Sequence, residues 1–485
     1  MTQTQKSLLT GVALLGITGG LGAYALLGVK KVEEEKTAAK EKSDKAFDGF
    51  DKAKVKELEI RAKGDDTKLA RDGAVWKIVA PIQAEADTDM VNGVLAKLED
   101  AKRKATVDEK PADLAPFGLK TPKTIIVASL EGGSKFELDL GDDNAFDSSI
   151  YFKRGDATAV NVAEAALKTP LEKSLFDLRD KKLIHFEDTD LHSLEVKAKS
   201  LAYSLDRAGD GKWTLTTPIS EKADGSAADR LTSTLRNARA SRFATELATG
   251  AELAKYGLDK PQVTVTLVVG ADNAKKTIAL GEADEGGAKH SFAQLNGTGP
   301  VLEVESTVAK DFDKKIFDLR DKSVATFDKE AVKRVVIENG SETLEFTREK
   351  PPPADGGFAE EQFALVKPAG AGAVKKWKCS GALYSLGNLH AAEFADEKPS
   401  AKNLARYGLE KPARTYSVFG ADGKVLVRVK IGGIEGTKYY VQLEGRARVD
   451  LVEKTPIDDL PKTLDDLAEK PTPASNAAPT KPSKG

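Results

Sequence analysis

Two histidines, His185 and His192, lie close together in the sequence, and imidazole with carboxylate is a ligand set that zinc uses. Three acidic residues stand between them: Glu187, Asp188 and Asp190. The chain is repetitive, however, and the equivalent positions of the next repeat carry Thr326 and Lys333. Because that repeat keeps the surrounding pattern without a histidine, we interpret the cluster as the polar margin of a strand and predict no metal site.

A second set of candidate ligands runs from Asp142 to Asp147 and is rich in aspartate. Calcium prefers oxygen ligands, but its helix-flanked loop needs them at alternate positions and ends with a Glu. This stretch has neither the spacing nor the Glu. We interpret it as a solvated loop.

Charged residues at Asp177, Arg179 and Asp180 could suggest a carboxylate pair for acid–base catalysis, which requires two acids of different pKa in one cleft. The same motif recurs one repeat later at Asp318, Arg320 and Asp321. Local Arg–Asp pairing at a junction between domains explains a duplicated motif without a substrate. The chain has no nucleophile elbow, P-loop or dinucleotide fingerprint. We therefore predict no catalytic, cofactor-binding or metal-ligating residue, and no cofactor.

Composition limits the classes of function. A chain of 485 residues exceeds what one hydrophobic core usually supports, and 40% hydrophobic with 31% charged residues is ordinary for globular domains. Lys+Arg 74 against Asp+Glu 76 gives a net charge of −2, which disfavours nucleic acid as a partner. Cys379 is the only cysteine, which excludes an intrachain disulfide and a cysteine metal cluster.

The elements that would position any site are organised by a decapeptide that occurs three times: Asp113–Pro122, Glu252–Pro261 and Asn403–Pro412. Each copy has Leu-Ala, then an aromatic residue followed by Gly-Leu, and ends in Pro. A Gly with positive φ commonly terminates a helix, and a Pro shortly afterwards cannot continue it. We interpret each decapeptide as the last turn of a helix that closes the helical half of a module.

The fold class that these repeats predict is α+β, in three tandem modules. Each module begins with an antiparallel meander of three strands, whose third strand carries a large ring five residues before a Pro: Trp76, Trp213 and Phe363. We interpret these rings as core anchors, with an aromatic platform for sugars or peptides as the alternative. An amphipathic helix follows, marked in turn by Val91, Val94, Leu95 and Leu98 after the cap Asp87, by Leu231 and Leu235, and by Leu383, Leu386 and Leu389.

A second set of antiparallel strands follows each decapeptide, and in each module the second of these strands is predicted to end at a Gly: Gly141, Gly281 and Gly432. A heptapeptide, Leu175–Lys181 and again Ile316–Lys322, then leads into the next module, and we interpret it as the hinge that docks one module on another. The third module keeps only a degenerate form at Pro456–Leu460, which is typical of a terminal repeat.

The two ends of the chain differ in composition from the modules. Ser7–Val29 carries no charge over 23 residues, enough for a helix to cross the roughly 30 Å hydrocarbon core of a membrane. It is either an anchor, which we favour, or a cleavable signal peptide. We expect a single pass through the inner membrane with the body in the periplasm. The predicted segments are a membrane segment (1–29), a charged spacer (30–43), modules at 44–179, 180–320 and 321–468, and a disordered Pro/Ala-rich tail (469–485).

The order of these motifs resembles the bacterial domain-of-unknown-function family 4340. The matching residues are Trp76, Pro81, Phe117, Gly118, Leu119 and Pro122; Trp213, Pro218, Tyr256, Gly257, Leu258 and Pro261; and Phe363, Pro368, Tyr407, Gly408, Leu409 and Pro412. The third copy departs from the pattern by having Phe363 in place of Trp. The resemblance implies a membrane-anchored, envelope-facing protein associated with export-type ABC transporter components of the gliding-motility kind.

Three hypotheses follow for the function. The first is a non-enzymatic, membrane-anchored accessory or scaffold protein of the bacterial cell envelope, with a membrane-protein complex of the ABC transporter type as its partner. The second is a binding module for peptidoglycan or another envelope glycan, using Trp76 and Trp213. The third is a hydrolase with an unrecognised site.

Overall fold

The structure is a computed structural model that describes residues 45–155, 157–350 and 360–469. The predicted membrane segment, the predicted spacer, residues 351–359 and the tail beyond Glu469 lie outside these residues. Within the described ranges, no helix is both long enough and apolar enough to cross a membrane.

Among the described residues, the strands form three antiparallel sheets. The first sheet contains β1 (Val55–Ala62), β2 (Asp65–Asp72), β3 (Val75–Ala80), β4 (Ala84–Glu85), β5 (Ala105–Asp108), β6 (Thr124–Leu130), β7 (Lys135–Asp143), β8 (Ser149–Arg154) and β9 (Val160–Glu164). The second contains β10 (Leu191–Ala198), β11 (Ala202–Arg207), β12 (Trp213–Thr217), β13 (Glu221–Lys222), β14 (Arg242–Thr245), β15 (Val263–Val269), β16 (Ala274–Glu285), β17 (Ala288–Leu295) and β18 (Val301–Val304). The third contains β19 (Val332–Asn339), β20 (Glu342–Glu349), β21 (Gln362–Lys367), β22 (Glu393–Asp396), β23 (Arg414–Gly420), β24 (Val425–Glu435), β25 (Lys438–Leu443) and β26 (Val449–Glu453).

The two predicted strand sets of each module form one continuous sheet. In the first sheet the order is β4-β3-β2-β1-β6-β7-β8-β9-β5, so the meander joins the later strands where β1 pairs with β6. The second sheet repeats this order, and the third has eight strands among the described residues, in the order β21-β20-β19-β23-β24-β25-β26-β22. The molecule is therefore richer in strand than the predicted meander, helix and second strand set implied. The sequence analysis missed the last strands, β9, β18 and β26, and the edge strands β4, β5, β13, β14 and β22.

The amphipathic helices lie where the sequence predicts them. Helix α1 (Thr88–Asp100) is capped by the Asp87 side chain, and its buried residues are Val91, Val94, Leu95 and Leu98. The other helices are α2 (Lys168–Leu171), α3 (Leu175–Leu178), α4 (Gly225–Asn237), α5 (Thr307–Phe312), α6 (Ile316–Leu319), α7 (Lys376–Gly387), α8 (Ala401–Arg406), α9 (Lys454–Asp458) and α10 (Leu464–Leu467). Leu389 is buried but lies beyond the end of α7.

The decapeptides do not end the amphipathic helices. An edge strand separates α1 from the first decapeptide, which forms a separate 3-10 turn over Ala115–Phe117. The predicted Gly stop is confirmed, since Gly118, Gly257 and Gly408 have φ values of 67°, 64° and 70°. Each decapeptide is thus a short helical turn with its own left-handed cap.

The strands predicted to end at Gly141, Gly281 and Gly432 run past these residues. Gly is needed there for another reason. An added Cβ would lie 2.1 Å from the carbonyl oxygen of Phe117 at Gly141 and 2.2 Å from that of Tyr407 at Gly432. The decapeptide therefore packs its backbone directly on the sheet.

Trp76 and Trp213 are core anchors, as expected, with relative exposures of 0% and 3%. The indole N–H of Trp76 donates to Asn92 Oδ1 at 3.2 Å, and that of Trp213 donates to Asp229 Oδ1 at 2.8 Å. The two acceptors occupy equivalent positions of their helices. A repeated arginine that the sequence analysis missed stands opposite each ring in the strand register: Arg71, Arg207 and Arg348. Each donates to a carbonyl of the short helical turn before the first strand of its module.

The heptapeptides begin with the short helices α3 and α6. Each of these short helices accepts a hydrogen bond from the backbone amide of the residue that caps the amphipathic helix of its module. Asp87 N donates to Leu178 O at 2.9 Å, and Asp224 N donates to Leu319 O at 2.9 Å. In the third module the same bond runs from Lys375 N to Leu467 O at 2.7 Å. The third copy is therefore Leu464–Lys470, not Pro456–Leu460, and it has Asp465 and Ala468 where the others have Phe and Arg.

The described residues fall into two compact units. One comprises the residues up to Leu183 together with Arg239–Phe243, and the other comprises Ile184–Ala238 and the described residues from Ala244 onward. The first sheet lies in the first unit and the third sheet in the second.

Candidate interaction surface

The histidine cluster is not assembled as a ligand set. His192 Nε2 lies 2.9 Å from the carbonyl oxygen of Gly270, and Asp188 pairs with Arg236. In the acid-rich stretch, Asp143 pairs with Lys168 at 2.9 Å, and Asn144 donates to Asp147 at 3.0 Å. Across residues 45–155, 157–350 and 360–469, no group of three or more His, Cys, Asp or Glu side chains is placed to hold a metal ion.

The charged residues of the heptapeptides make structural contacts. Asp177 accepts hydrogen bonds from the Ser174 amide at 3.0 Å, the Ser174 hydroxyl at 2.8 Å and Lys63 at 3.1 Å. Burial acts against the charged form of Asp177, but these bonds lower its pKa to about 2. It remains ionised at neutral pH and so cannot supply a proton.

At the junction between the second and third modules, Arg320 pairs with glutamates of both modules, which corrects for this arginine the local Arg–Asp pairing proposed from the sequence. Its Nε donates to Glu221 Oε2 at 2.8 Å, and its Nη2 to Glu397 Oε2 at 3.0 Å. The guanidinium lies 4.3 Å from the ring centre of Phe394, which also packs on Phe317 at 4.7 Å. In the first unit, Arg179 lies 3.4 Å from the ring centre of Phe243.

Burial removes Trp76 and Trp213 from any role as a surface platform, and Phe363 is partly buried in the core of its module. The exposed aromatic residues are elsewhere. Helix α7 of the third module buries Cys379, Ala382, Leu383 and Leu386, and its opposite face carries Trp377 and Tyr384, with relative exposures of 67% and 66%. We call this face, with Ser380 and Gly381 between the rings, the aromatic face.

The aromatic face is specific to one module. In register, helix α1 has Asp89 and Ala96 at the positions of Trp377 and Tyr384, and helix α4 has Ser226 and Ser233. The modules share their buried helix positions, because these pack on the sheet. Their solvent faces differ, and only the third presents large rings among the described helices.

An open groove of about 430 Å3 lies along the aromatic face. Gly381 contributes no side chain between the two rings, and an added Cβ there would meet nothing within 4 Å. Lys329 Nζ lies 4.4 Å from the ring centre of Tyr384, and Lys378 Nζ lies 4.9 Å from that of Trp377. The groove therefore has two large rings with open space between them at Gly381, and a lysine ammonium close to each ring.

A buried arginine closes the groove on the sheet side. Arg348 is 4% exposed and donates to the Lys329 carbonyl at 2.7 Å and to Glu361 Oε1 at 2.6 Å. Burial opposes its charge, but the hydrogen bond and the proximity of Glu361 raise the pKa of Arg348 above its ordinary value. The hydrogen bond from Lys350 lowers the pKa of Glu330 beside it. The rim thus carries fixed charges of both signs.

Trp377 and Tyr384 were not identified from the sequence, although a signal was present. The two residues are seven apart and so lie on one face of a helix. The buried Leu383 and Leu386 lie on the other side. Aligning this helix with Thr88–Asp100 would have placed both rings outside the four buried positions of that helix.

Comparison with known proteins identifies a family. The model of a family described as a domain of unknown function (DUF4340) matches residues 76–251, 213–370 and 364–472. No curated protein matches the chain. Among solved structures, the crystal structure of the DNA polymerase III subunit beta from Pseudomonas aeruginosa aligns at 10% identity over 82% of this chain and 91% of that chain, with a TM-score of 0.14. A score this low carries no argument about fold or function.

Proposed function

This chain belongs to the DUF4340 family of domains of unknown function, and we propose that it acts by binding, as a membrane-anchored scaffold of the bacterial cell envelope. The observation that carries the proposal is the aromatic face. The two rings are 67% and 66% exposed. A partner that covers them removes their apolar surface from water, which favours binding. Tyr and Trp are also the residue types that dominate binding energy at protein interfaces.

The proposed partner is a membrane component of an ABC-type transport complex. This part rests on the family resemblance and on the uncharged segment Ser7–Val29, which would hold the protein at the membrane. In this proposal the body of the protein lies in the periplasm. The mixed charges at the rim, from Lys329, Lys378 and Glu361, would fix the partner's orientation.

Affinity purification of the full chain from detergent-solubilised membranes tests this function. The wild-type protein is expected to recover an ABC transporter membrane subunit, identified by mass spectrometry, and the double variant W377A/Y384A is expected to lose at least about nine-tenths of it. Phe146→Ala removes a ring that is 95% exposed in the first module and serves as the matched control. Equal recovery with all three proteins would overturn the proposal.

An envelope glycan is the second candidate, because two exposed rings beside an open groove with charged side chains in its lining also suit a sugar chain. The glycan site would then be Trp377 and Tyr384 rather than Trp76 and Trp213, which are buried. Cosedimentation with purified sacculi separates the two candidates. Binding by the wild type that W377A/Y384A abolishes and F146A preserves would favour the glycan.

A further inference from the structure

The outer edges of the first two sheets are covered by a short strand of the same module. Strand β4 pairs with β3, placing Ala84 opposite Ile78, and β13 pairs with β12, placing Glu221 opposite Leu215. The ladder continues with Ala86 N to Trp76 O at 3.1 Å in the first module, and with the same bond at 3.1 Å in the second. These two edges offer little free backbone to another chain.

The third sheet has no covering strand among the described residues and ends at β21. The chain after β21 is Pro368-Ala-Gly-Ala-Gly-Ala373, one residue longer between the Pro and the next helix cap than in the other modules. Gly370 and Gly372 have φ values of 77° and 87°. Because positive φ is incompatible with an extended strand, this segment leaves the edge, and β21 stays open within the part of the chain that the structure describes.

The repeat identifies which backbone groups of β21 point outward. Trp76 and Phe363 occupy the same register position, each opposite the repeated arginine of the neighbouring strand. Since the Trp76 carbonyl faces the edge and accepts from Ala86, the N–H and C=O of Phe363 face the edge too, as do those of Leu365 two residues later. No described residue donates to the Phe363 carbonyl. Their side chains pack on the core, whereas Ala364 is exposed.

We propose that β21 pairs with β21 of a second copy of this chain, antiparallel and about a twofold axis through Ala364. In that register Phe363 of each copy stands opposite Leu365 of the other, and their outward groups form four backbone hydrogen bonds. The apolar pairs fall on the core faces of both sheets, and two small Ala364 side chains meet on the axis. No charge opposes a like charge within Phe363–Leu365, so the edge is self-complementary.

The pairing is limited to the start of the strand. A bulge between Leu365 and Lys367 disturbs the ladder with β20, and Pro368 has no N–H to donate. A contact of this length is weak between free chains, which makes it reversible. Attachment of both copies to one membrane, as in the proposed function, raises their effective concentration and favours it.

Cysteine cross-linking of the full chain in membranes tests the register. Residues on the axis form a non-hydrogen-bonded pair with Cα atoms about 4.5 Å apart, within the range that a disulfide spans. The A364C variant, treated with copper phenanthroline, is expected to give several times more disulfide-linked dimer than T214C. Thr214 is the matched control, because it occupies on β12 the register position that Ala364 occupies on β21, but it pairs with Lys222 of β13. The native Cys379 is buried and does not compete.

Dimer yields that are equal for A364C and T214C would overturn the proposal, as would cross-linking of A364C chiefly to a different protein. A second experiment tests the proposed pairing by charge, independently of cysteine chemistry. Two differently tagged copies carrying A364K are expected to co-purify several-fold less than wild-type copies, whereas A364K with A364E is expected to recover the wild-type level. The same T214K substitution should leave co-purification unchanged. Co-purification of the A364K pair at the wild-type level would contradict the proposed axis.

Discussion

Gly257 and Gly281 face one another so closely that a Cβ added to Gly281 would lie 2.4 Å from the Gly257 carbonyl oxygen. Gly257 belongs to the second decapeptide and Gly281 to strand β16. The same approach of two backbones recurs in the other modules, at Gly141 and at Gly432. The backbone of the decapeptide therefore packs directly on the strand. This close approach requires Gly both in the decapeptide and in the strand.

Substitution of Gly281 by Ala is expected to lower the free energy of unfolding of the second unit by about 3 kcal/mol, because backbone rather than a flexible side chain must move. Gly209→Ala is the control, since an added Cβ there meets nothing within 4 Å. Hydrogen exchange of the peptides that contain Leu253–Leu258 and Ile278–Glu282 measures the local effect. Exchange that is equally slow in G281A and in the wild type would show that the two backbones can separate at no cost.

The Trp213→Phe variant is expected to lose about 1–3 kcal/mol of unfolding free energy, since it empties part of a buried site and removes the donor to Asp229. Asp229→Asn retains an acceptor for the indole and is expected to cost less than half as much. Urea unfolding followed by circular dichroism measures both. A W213F variant as stable as the wild type would contradict its role as a core anchor.

The contacts of Arg320 at the junction between the second and third modules are expected to contribute less stability in acid. The hydrogen bond from Arg320 holds the pKa of Glu397 below its ordinary 4.5. A carboxylate whose folded pKa is lowered contributes stability that is fully present above the unfolded value and is lost as pH falls through the folded value. The contribution is modest because the Glu397 side chain is 52% exposed. Thermal midpoints of wild type and Glu397→Gln, measured from about pH 6 down to about pH 3, should converge at the acid end. A constant difference would count against this pairing.

Gly381→Ala separates stability from binding at the aromatic face. Ala is favoured over Gly inside a helix by about 0.5–1 kcal/mol, and the added methyl group meets nothing within 4 Å. We expect a slightly more stable protein that binds its partner less well, because the methyl group fills the floor of the groove. Gly93→Ala, at the same position of helix α1, should stabilise equally and leave binding unchanged. Unfolding midpoints and the affinity purification described above measure the two effects.

Cys379 reports opening of the third module. It is fully buried in helix α7, and burial raises the pKa of its thiol to about 12. Because the thiolate is the reactive form, a disulfide reagent at about pH 8 is expected to label the folded protein at least about a hundredfold more slowly than the urea-unfolded protein. Equal rates would show that the helix opens freely.

Much of the architecture could be predicted from local pattern. The cap at Asp87 and the four buried positions of helix α1 follow from a 3.6-residue period and a capping side chain, both of which are local. The threefold repeat located the meanders in the same way, and the short heptapeptide was misplaced in the third module because Asp465 and Ala468 replace its most distinctive residues. The four-residue edge strand Ala105–Asp108 has no periodicity of its own and forms because β9 lies beside it.

The sequence by itself determined the number of repeats, the amphipathic helices, the left-handed Gly caps and the family, since each depends on residues that are near in the chain or on their recurrence. Only the tertiary structure decided that the two strand sets form one sheet, that Arg320 reaches Glu221 and Glu397, and that Trp213 is buried while Trp377 is exposed. Those outcomes depend on which distant residues meet across the sheet and helix layers. Hydrophobicity makes every tryptophan a candidate for the core, but the position of its Cβ on the packed elements decides whether the ring turns inward or faces a partner.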